Sequence, residues 1–159
     1  MVNFYRMANV RKLASQNLAK ILKVYESDIE QQREIIEKVN AEFCDSKVYM
    51  QRQAYIYMAA SVMNSTKELF EKYMKKKFCK LAQDKVCNVR IVLAKVLNEH
   101  IKGEGDFYFD FEINKALYFL KKDRDRDVLE QIREVSLAVQ EDDIKKAIKE
   151  EDVIKADVN

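Results

Sequence analysis

The stretch Asp84-Lys85-Val86-Cys87-Asn88-Val89-Arg90 predicts a polar turn that opens an amphipathic helix. Asp84 carries a side chain that accepts hydrogen bonds from the free amides at a helix start, where partial positive charge gathers. Val89 begins an apolar stripe that continues at helical spacing through residues 91–100. Arg90 follows Asp84 by six residues and can reach an acidic turn, either its own or the next one. The alternative is that Asp84 and Arg90 form a structural ladder that touches no partner.

The same pattern recurs along the chain at a nearly constant distance. Arg11 ends a second Asn-Val-Arg triplet, Arg52 stands in Met50-Gln51-Arg52-Gln53-Ala54, and Leu129 follows an Asp-Val pair. The steps from Arg11 to Arg52, Arg90 and Leu129 are 41, 38 and 39 residues. Such a period predicts four inner helices, each except the first preceded by an amphipathic outer helix.

This period predicts an all-α fold, an α-α superhelix of the HEAT or armadillo-like solenoid type with about four repeats. We expect one domain over residues 1–159, which opens with an inner helix at 9–25. Three repeats follow at about 28–63, 66–101 and 107–139, and a C-terminal cap or tail occupies 140–159. The alternative is an irregular helical bundle, which would not need the recurring turn chemistry.

Several local signals predict where the helices begin and end. Ser27-Asp28-Ile29-Glu30 and Ser65-Thr66-Lys67-Glu68 are typical of capping boxes, in which the hydroxyl and the carboxylate satisfy amides reciprocally. Gly103 and Gly105 predict a break after the inner helix of the repeat at about 66–101. The alternating run 107–111 is interpreted as the start of a helix to Leu120, because a lone strand has no pairing partner. We expect the next helix to reach about Val139 and a last helix at 142–150.

The composition indicates a helical protein with no strongly charged partner. The chain has no proline, 48% hydrophobic and 35% charged residues, and a net charge of +2. This charge is too small to indicate nucleic acid or an anionic membrane surface. No apolar run approaches the roughly 18 residues needed to cross a bilayer. We therefore expect a cytoplasmic protein, with the nucleus left open as a second location, and no membrane or nucleic-acid partner.

No residue set points to catalysis, to a metal or to a cofactor. Cys44, Cys79 and Cys87 lie at scattered spacing without a Cys-x-x-Cys pair, which argues against zinc and for buried thiols in a reducing compartment. His100 has no serine or cysteine at a motif spacing, so we expect a solvent-facing or helix-terminal histidine. The sequence thus predicts a protein that is not an enzyme and that needs no cofactor.

Four segments carry a more specific resemblance. Residues 50–54, 81–90, 93–97 and 123–128 occur in order at the expected spacing. Together they resemble the C-terminal repeats of HEAT-repeat phosphatase regulatory subunits: those of protein phosphatase 4 regulatory subunit 1 and, less closely, of the protein phosphatase 2A scaffold (A) subunit. The resemblance covers roughly residues 48–130 and implies a non-catalytic subunit that binds a phosphatase catalytic subunit through its inter-helix turns.

The resemblance also implies which residues would contact that partner. We call this surface the turn ridge, and it comprises Lys47, Tyr49, Arg52, Asp84, Lys85, Val86, Asn88, Arg90, Asp123, Arg124, Asp125 and Arg126. Leu129 lacks the basic group of Arg52 and Arg90, so the ladder should end at that repeat.

Two other functions stay open at the level of the sequence. Lysines cluster on the outer helix of the repeat at about 66–101, at Lys72, Lys75, Lys76, Lys77 and Lys80. They would suit a HEAT adaptor that docks on a ribosome, another ribonucleoprotein or a transport complex. The unaccompanied first inner helix would instead suit a fragment of a longer array, in which a neighbouring repeat covers its apolar side.

Overall fold

The computed structural model describes residues 13, 17–101, 105 and 107–157, and this part of the chain is helical with no strand. The all-α prediction is therefore confirmed for these residues. The triplet that ends in Arg11 and most of the predicted glycine turn lie outside them.

The described residues form eight helices joined by short turns. In chain order they are α1 (17–24), α2 (Ile29–Val39, extended by a π-helical turn Asn40–Cys44), α3 (Tyr49–Ser65), α4 (Lys67–Leu69, a π-helical turn Phe70–Met74, and Lys75–Lys80, ending in a 3₁₀ turn Leu81–Gln83), α5 (Cys87–His100), α6 (Phe111–Lys121), α7 (Arg126–Ile132) and α8 (Glu141–Asp157).

Helices that are two apart in the chain pack side by side. On one side of the molecule α3 packs against α5, and α5 against α7. On the other side α2 contacts α4, α4 contacts α6, and α6 contacts α8. Because consecutive helices also pack together, one continuous core runs between the two sets.

The core follows the predicted apolar stripes closely in the middle of the chain. The apolar spacing of residues 69–81 predicts that Phe70, Met74, Phe78 and Leu81 face inward, and all four are buried in α4 and its 3₁₀ turn. The Phe70 ring packs edge-on against those of Phe78 and Phe107, with centroids 5.5 and 5.3 Å apart. Such aromatic pairs add about 0.5–1.5 kcal/mol beyond the area they bury.

The prediction for the first helices is partly wrong. The sequence predicts one apolar side with Leu13, Leu18, Ile21, Leu22 and Tyr25 for the first helix, and one with Ile29 for the next. Leu18 and Leu22 are buried, but Leu13, Ile21, Tyr25 and Ile29 are exposed. The buried face of α1 is therefore narrower than the apolar pattern of the sequence predicts.

A buried polar cluster joins the two π-helical turns. The Asn40 side chain donates to the Tyr73 carbonyl at 2.9 Å and accepts from the Tyr55 hydroxyl at 2.8 Å. Tyr55 and Asn40 are both buried, so these bonds replace water that neither residue can reach. A π turn takes its backbone out of the regular α-helical pattern, and here the Tyr73 carbonyl accepts from a neighbouring helix. No pattern in the sequence indicated this cluster.

Both predicted capping boxes are wrong in detail. Helix α2 is capped by Asp28, whose carboxylate accepts from the Gln31 amide at 3.0 Å, so its start is one residue later than the Ser27 box implied. At α4 the N-cap is Thr66, which makes no capping bond with its side chain. The Ser65 hydroxyl donates instead to the Val62 carbonyl of α3, because Ser65 still belongs to that helix.

Three boundaries near the C-terminus also differ from the prediction. Residues 107–109 form a turn, and α6 starts at Phe111 because Asp110 caps the Ile113 amide at 3.0 Å. Helix α7 ends at Ile132, short of Val139, and the Ala138 amide donates to Asn114 of α6 at 2.7 Å. That bond uses an amide that a longer helix would need for itself. Helix α8 extends to Asp157, well beyond the predicted 142–150.

Candidate functional site: the turn ridge

The turn ridge is organised by two arginines that each join two successive turns. Arg52 donates from Nε to Asp84 Oδ2 at 2.6 Å and from Nη2 to Asp84 Oδ1 at 2.8 Å. Its Nη1 donates to the Ser46 carbonyl at 2.8 Å, six residues back along the chain. The pair is nearly dry, since the side chains of Arg52 and Asp84 are 8% and 7% exposed.

Arg90, at the start of α5, makes the same set of contacts at the next inter-helix turn. It donates from Nε to Asp123 Oδ2 at 2.5 Å, from Nη2 to Asp123 Oδ1 at 3.0 Å, and from Nη1 to the Asp84 carbonyl at 2.7 Å. The predicted contact of Arg90 with an acidic turn is therefore confirmed, and the carboxylate belongs to the next turn. We call Arg52, Asp84, Arg90 and Asp123 the arginine ladder.

The turns themselves are held by short side chains that accept from a backbone amide two residues on. The Ser46 hydroxyl accepts from the Val48 amide at 3.1 Å, Asp84 from Val86 at 2.9 Å, and Asp123 from Asp125 at 2.9 Å. Asp84 thus closes its own turn and does not cap the helix as predicted; the N-cap of α5 is Val86, which makes no side-chain capping bond. Each ladder aspartate consequently serves a turn and an arginine at once.

The ladder holds its aspartates in the ionised form. Burial by itself would raise the pKa of Asp84, but the hydrogen bonds from Arg52 and from the Val86 amide outweigh it and lower the pKa below its usual range. The pKa of Asp123 is lowered in the same way, with Arg90 and the Asp125 amide acting against burial. Opposite charge and hydrogen bonding to the charged form are the two effects that can overcome desolvation.

The residues assigned to the turn ridge divide into two groups. Arg52, Asp84, Arg90 and Asp123 lie inside the ladder, and Val86 is half-buried beside it. Asp125 is also half-buried and accepts from the Asp127 amide at 2.9 Å. Exposed side chains form the outer group: Lys47, Tyr49, Lys85, Asn88, Arg124 and Arg126.

One cross-turn contact escaped the sequence analysis. Gln53 of α3 donates to the Asn88 carbonyl at the start of α5 at 2.9 Å. The sequence offers little indication of this hydrogen bond, because Gln53 directly follows Arg52 and carries no charge. Together with the Arg52–Asp84 pair it fixes how the first turns of α3 and α5 sit against each other.

The lysine cluster of α4 is partly committed to its neighbours. Lys75 pairs with Asp110 at 2.6 Å and Lys77 with Asp45 at 2.5 Å, which ties α4 to the chain on either side. Lys72, Lys76 and Lys80 are exposed. The cluster is therefore in part a structural feature between adjacent outer helices.

His100 lies at the last position of α5 and is exposed, as predicted. Its Nδ1 lies 3.2 Å from the Asn64 side-chain nitrogen, and two open cavities of about 220 and 190 Å³ share these two residues. Within the described ranges, no three His, Cys, Asp or Glu side chains are grouped in a way that could hold a metal ion.

Among the described helices, none is both long enough and apolar enough to span a bilayer. Comparison with protein-family models, with curated proteins and with solved structures found no match to this chain.

Proposed function

We propose that this chain is a non-catalytic binding protein, a short HEAT-type solenoid whose turn ridge binds a serine/threonine phosphatase catalytic subunit of the phosphatase 4 or 2A type. It would act by holding and positioning the catalytic subunit, without chemistry of its own. The choice of partner comes from the resemblance of the turn segments to phosphatase regulatory subunits.

One observation carries the proposal: the same set of contacts occurs at two successive inter-helix turns. Arg52 and Arg90 each bind a carbonyl six residues back and an aspartate 32 or 33 residues ahead. A recurring bond between equivalent turns is what stacked helical repeats require, because each repeat contacts only its neighbours. The helices of an irregular bundle are not related by a repeat, so such a bundle would not be expected to contain the same contacts twice.

The geometry also favours the ridge as the binding face. The ladder buries four charged side chains and holds the turns in fixed register, while the outer group of the ridge points to solvent. A rigid edge that carries exposed polar, basic and aromatic groups loses little conformational entropy on binding. Arginine and tyrosine are also among the residues that contribute most at protein interfaces.

The lysine cluster gives less support to docking on a ribonucleoprotein. Lys75 and Lys77 already pair with carboxylates of this chain, so they would have to break those pairs to reach a phosphate. We therefore make nucleic-acid binding an outcome of the tests and do not propose it.

The proposal is tested by mixing the purified chain with purified catalytic subunits and separating complexes by size-exclusion chromatography. We expect co-elution in a 1:1 ratio, lost on Lys85→Glu and retained by Lys76→Glu, which changes the same charge on an outer helix. Arg90 is unsuitable for this purpose, because its replacement would damage the ladder. Absence of a complex with either catalytic subunit would overturn the assignment of the partner.

A further inference from the structure

Each of the three turns presents one exposed cation at the same position. Lys47, Lys85 and Arg124 directly follow Ser46, Asp84 and Asp123, the residues that close the turns. Each stands five residues before Arg52, Arg90 or Leu129, and all three are exposed. We call Lys47, Lys85 and Arg124 the cation row.

The ladder fixes the backbone from which these cations project. Arg52 binds the Ser46 carbonyl, which belongs to the peptide group that leads into Lys47. Arg90 binds the Asp84 carbonyl, which leads into Lys85 in the same way. Arg124 lies between Asp123 and Asp125. The Asp123 carboxylate accepts hydrogen bonds from Arg90 and from the Asp125 amide. The row is therefore set by the fold and is not a chance scatter of surface charge.

Nearby acids have other partners. Asp84 and Asp123 are held by the ladder arginines, Asp125 accepts from the Asp127 amide, and Asp45 pairs with Lys77. In the described part of the chain, no ion pair links a carboxylate to a member of the cation row. The row thus leaves a positive strip at the first two turns, and at the third turn Arg124 and Arg126 alternate with Asp125 and Asp127.

The spacing of this strip matches an extended peptide. Neighbouring helices pack about 8–10 Å apart, so equivalent turn residues lie at about that separation. A chain in the extended polyproline II conformation advances about 3.1 Å per residue with three residues per turn, so every third side chain lies on one face and successive ones are about 9 Å apart. We propose that the cation row binds an extended acidic segment of the partner protein, with carboxylates at every third position.

The first turn adds an apolar contact at one end of the strip. Val48, Tyr49 and Met50 are 48%, 37% and 39% exposed and follow Lys47 directly. The third turn offers charged residues at the corresponding place, Asp125, Arg126 and Asp127. The peptide should therefore carry an aromatic or apolar residue at the end that lies over the first turn.

This inference rests on the turn ridge being the partner-binding face, and it names the chemistry of the segment bound there. It is tested by fluorescence anisotropy with labelled peptides that contain three glutamates, serine spacers and one terminal phenylalanine. In the probe the glutamates stand at every third position; in the control peptide of equal composition they are adjacent. We expect the spaced peptide to bind more tightly, and increasingly so at low salt.

Variants of the protein separate the cation row from net charge. Each single replacement, Lys47→Ala, Lys85→Ala or Arg124→Ala, should weaken the spaced peptide about two- to fivefold, the value of one exposed ion pair. The triple variant should lose about tenfold or more. A matched triple variant, Lys38→Ala with Lys76→Ala and Lys80→Ala, removes three exposed cations elsewhere and should keep the affinity.

The outcomes also distinguish this inference from the proposed function. Equal binding of spaced and adjacent glutamates, or equal losses in the two triple variants, would overturn the acidic-segment proposal even where a phosphatase complex forms. Spacing-selective binding by a chain that captures no phosphatase would support the cation row and overturn the proposed partner. A preference for single-stranded RNA over both peptides would overturn the inference.

Discussion

Arg52 and Asp84 lie 32 residues apart in the chain and form a nearly dry, two-point ion pair, with nitrogen–oxygen distances of 2.6 and 2.8 Å. The pair joins the start of α3 to the turn before α5, and Arg90 and Asp123 repeat it one turn later. The ladder is thus the feature that connects the folding of this chain to the surface we propose as its binding face.

Breaking the Arg52–Asp84 pair should destabilise the protein strongly. Removing one member of a buried pair leaves the other charge without a partner, which costs about 3–5 kcal/mol. We expect Arg52→Ala to lower the free energy of unfolding by this amount in urea titrations followed by circular dichroism. Lys145→Ala, which removes an exposed pair with Asp142, should lower the free energy of unfolding far less, because solvent screens that pair. Equal losses in the two variants would contradict the role of the ladder.

The ladder should also make stability depend on acid pH. The pKa values of Asp84 and Asp123 are lowered in the folded state, so their contribution is complete above the unfolded value of about 3.9 and is lost as pH falls through the folded pKa. The free energy of unfolding should therefore drop below about pH 4. Asp84→Asn combined with Asp123→Asn should flatten this dependence, whereas Glu34→Gln should not; an unchanged slope in the double variant would refute the prediction.

The buried cluster of the π turns gives a third prediction. Tyr55→Phe removes the donor to Asn40 Oδ1, leaving a buried acceptor unsatisfied at a cost of about 1–3 kcal/mol. Tyr49→Phe is a matched control, because Tyr49 is 37% exposed and can exchange its hydroxyl bonds with water. Thermal melts of the two variants measure the difference, and a Tyr55→Phe protein as stable as the wild type would exclude a structural role for the cluster.

The three thiols should differ sharply in reactivity. Cys44 and Cys79 are buried, and burial raises the pKa of Cys44 to about 11 and that of Cys79 still further. Cys87 is partly exposed at the start of α5, and a hydrogen bond with Asp125 raises its pKa. We expect an aromatic disulfide reagent to modify one thiol in the native protein, slowly, and three in denaturant. Cys87→Ser should abolish the native reaction; modification that persists would place it elsewhere.

The sequence predicted much of the ladder but little of the packing beneath it. The sequence shows a step of 38 residues from Arg52 to Arg90 and an acidic residue in each later turn. These features were visible because the same kinds of charged residue recur at a regular spacing. The pattern did not show that Arg52 itself binds Asp84, nor that a carbonyl six residues back completes each site.

Each of the remaining differences has a specific structural cause. The Ser27 and Ser65 boxes are wrong because Asp28 caps α2 and because Ser65 still belongs to α3. The early end of α7 accompanies a bond between Ala138 and Asn114, which are 24 residues apart. The π turns occur where Asn40 meets the Tyr73 carbonyl across two helices. The last two contacts are long-range and involve single polar side chains, so they leave no periodic trace in a sequence.

We propose that the turn ridge, held by the arginine ladder, binds a phosphatase catalytic subunit. The most direct measurement is a titration of purified catalytic subunit against three proteins: the wild type, the triple variant of Lys47, Lys85 and Arg124 to alanine, and the matched triple variant of Lys38, Lys76 and Lys80. We predict a 1:1 complex with equal affinity for the wild type and the matched variant, and about tenfold or weaker binding for the ridge variant. No complex, or one that both triple variants weaken equally, would contradict the account.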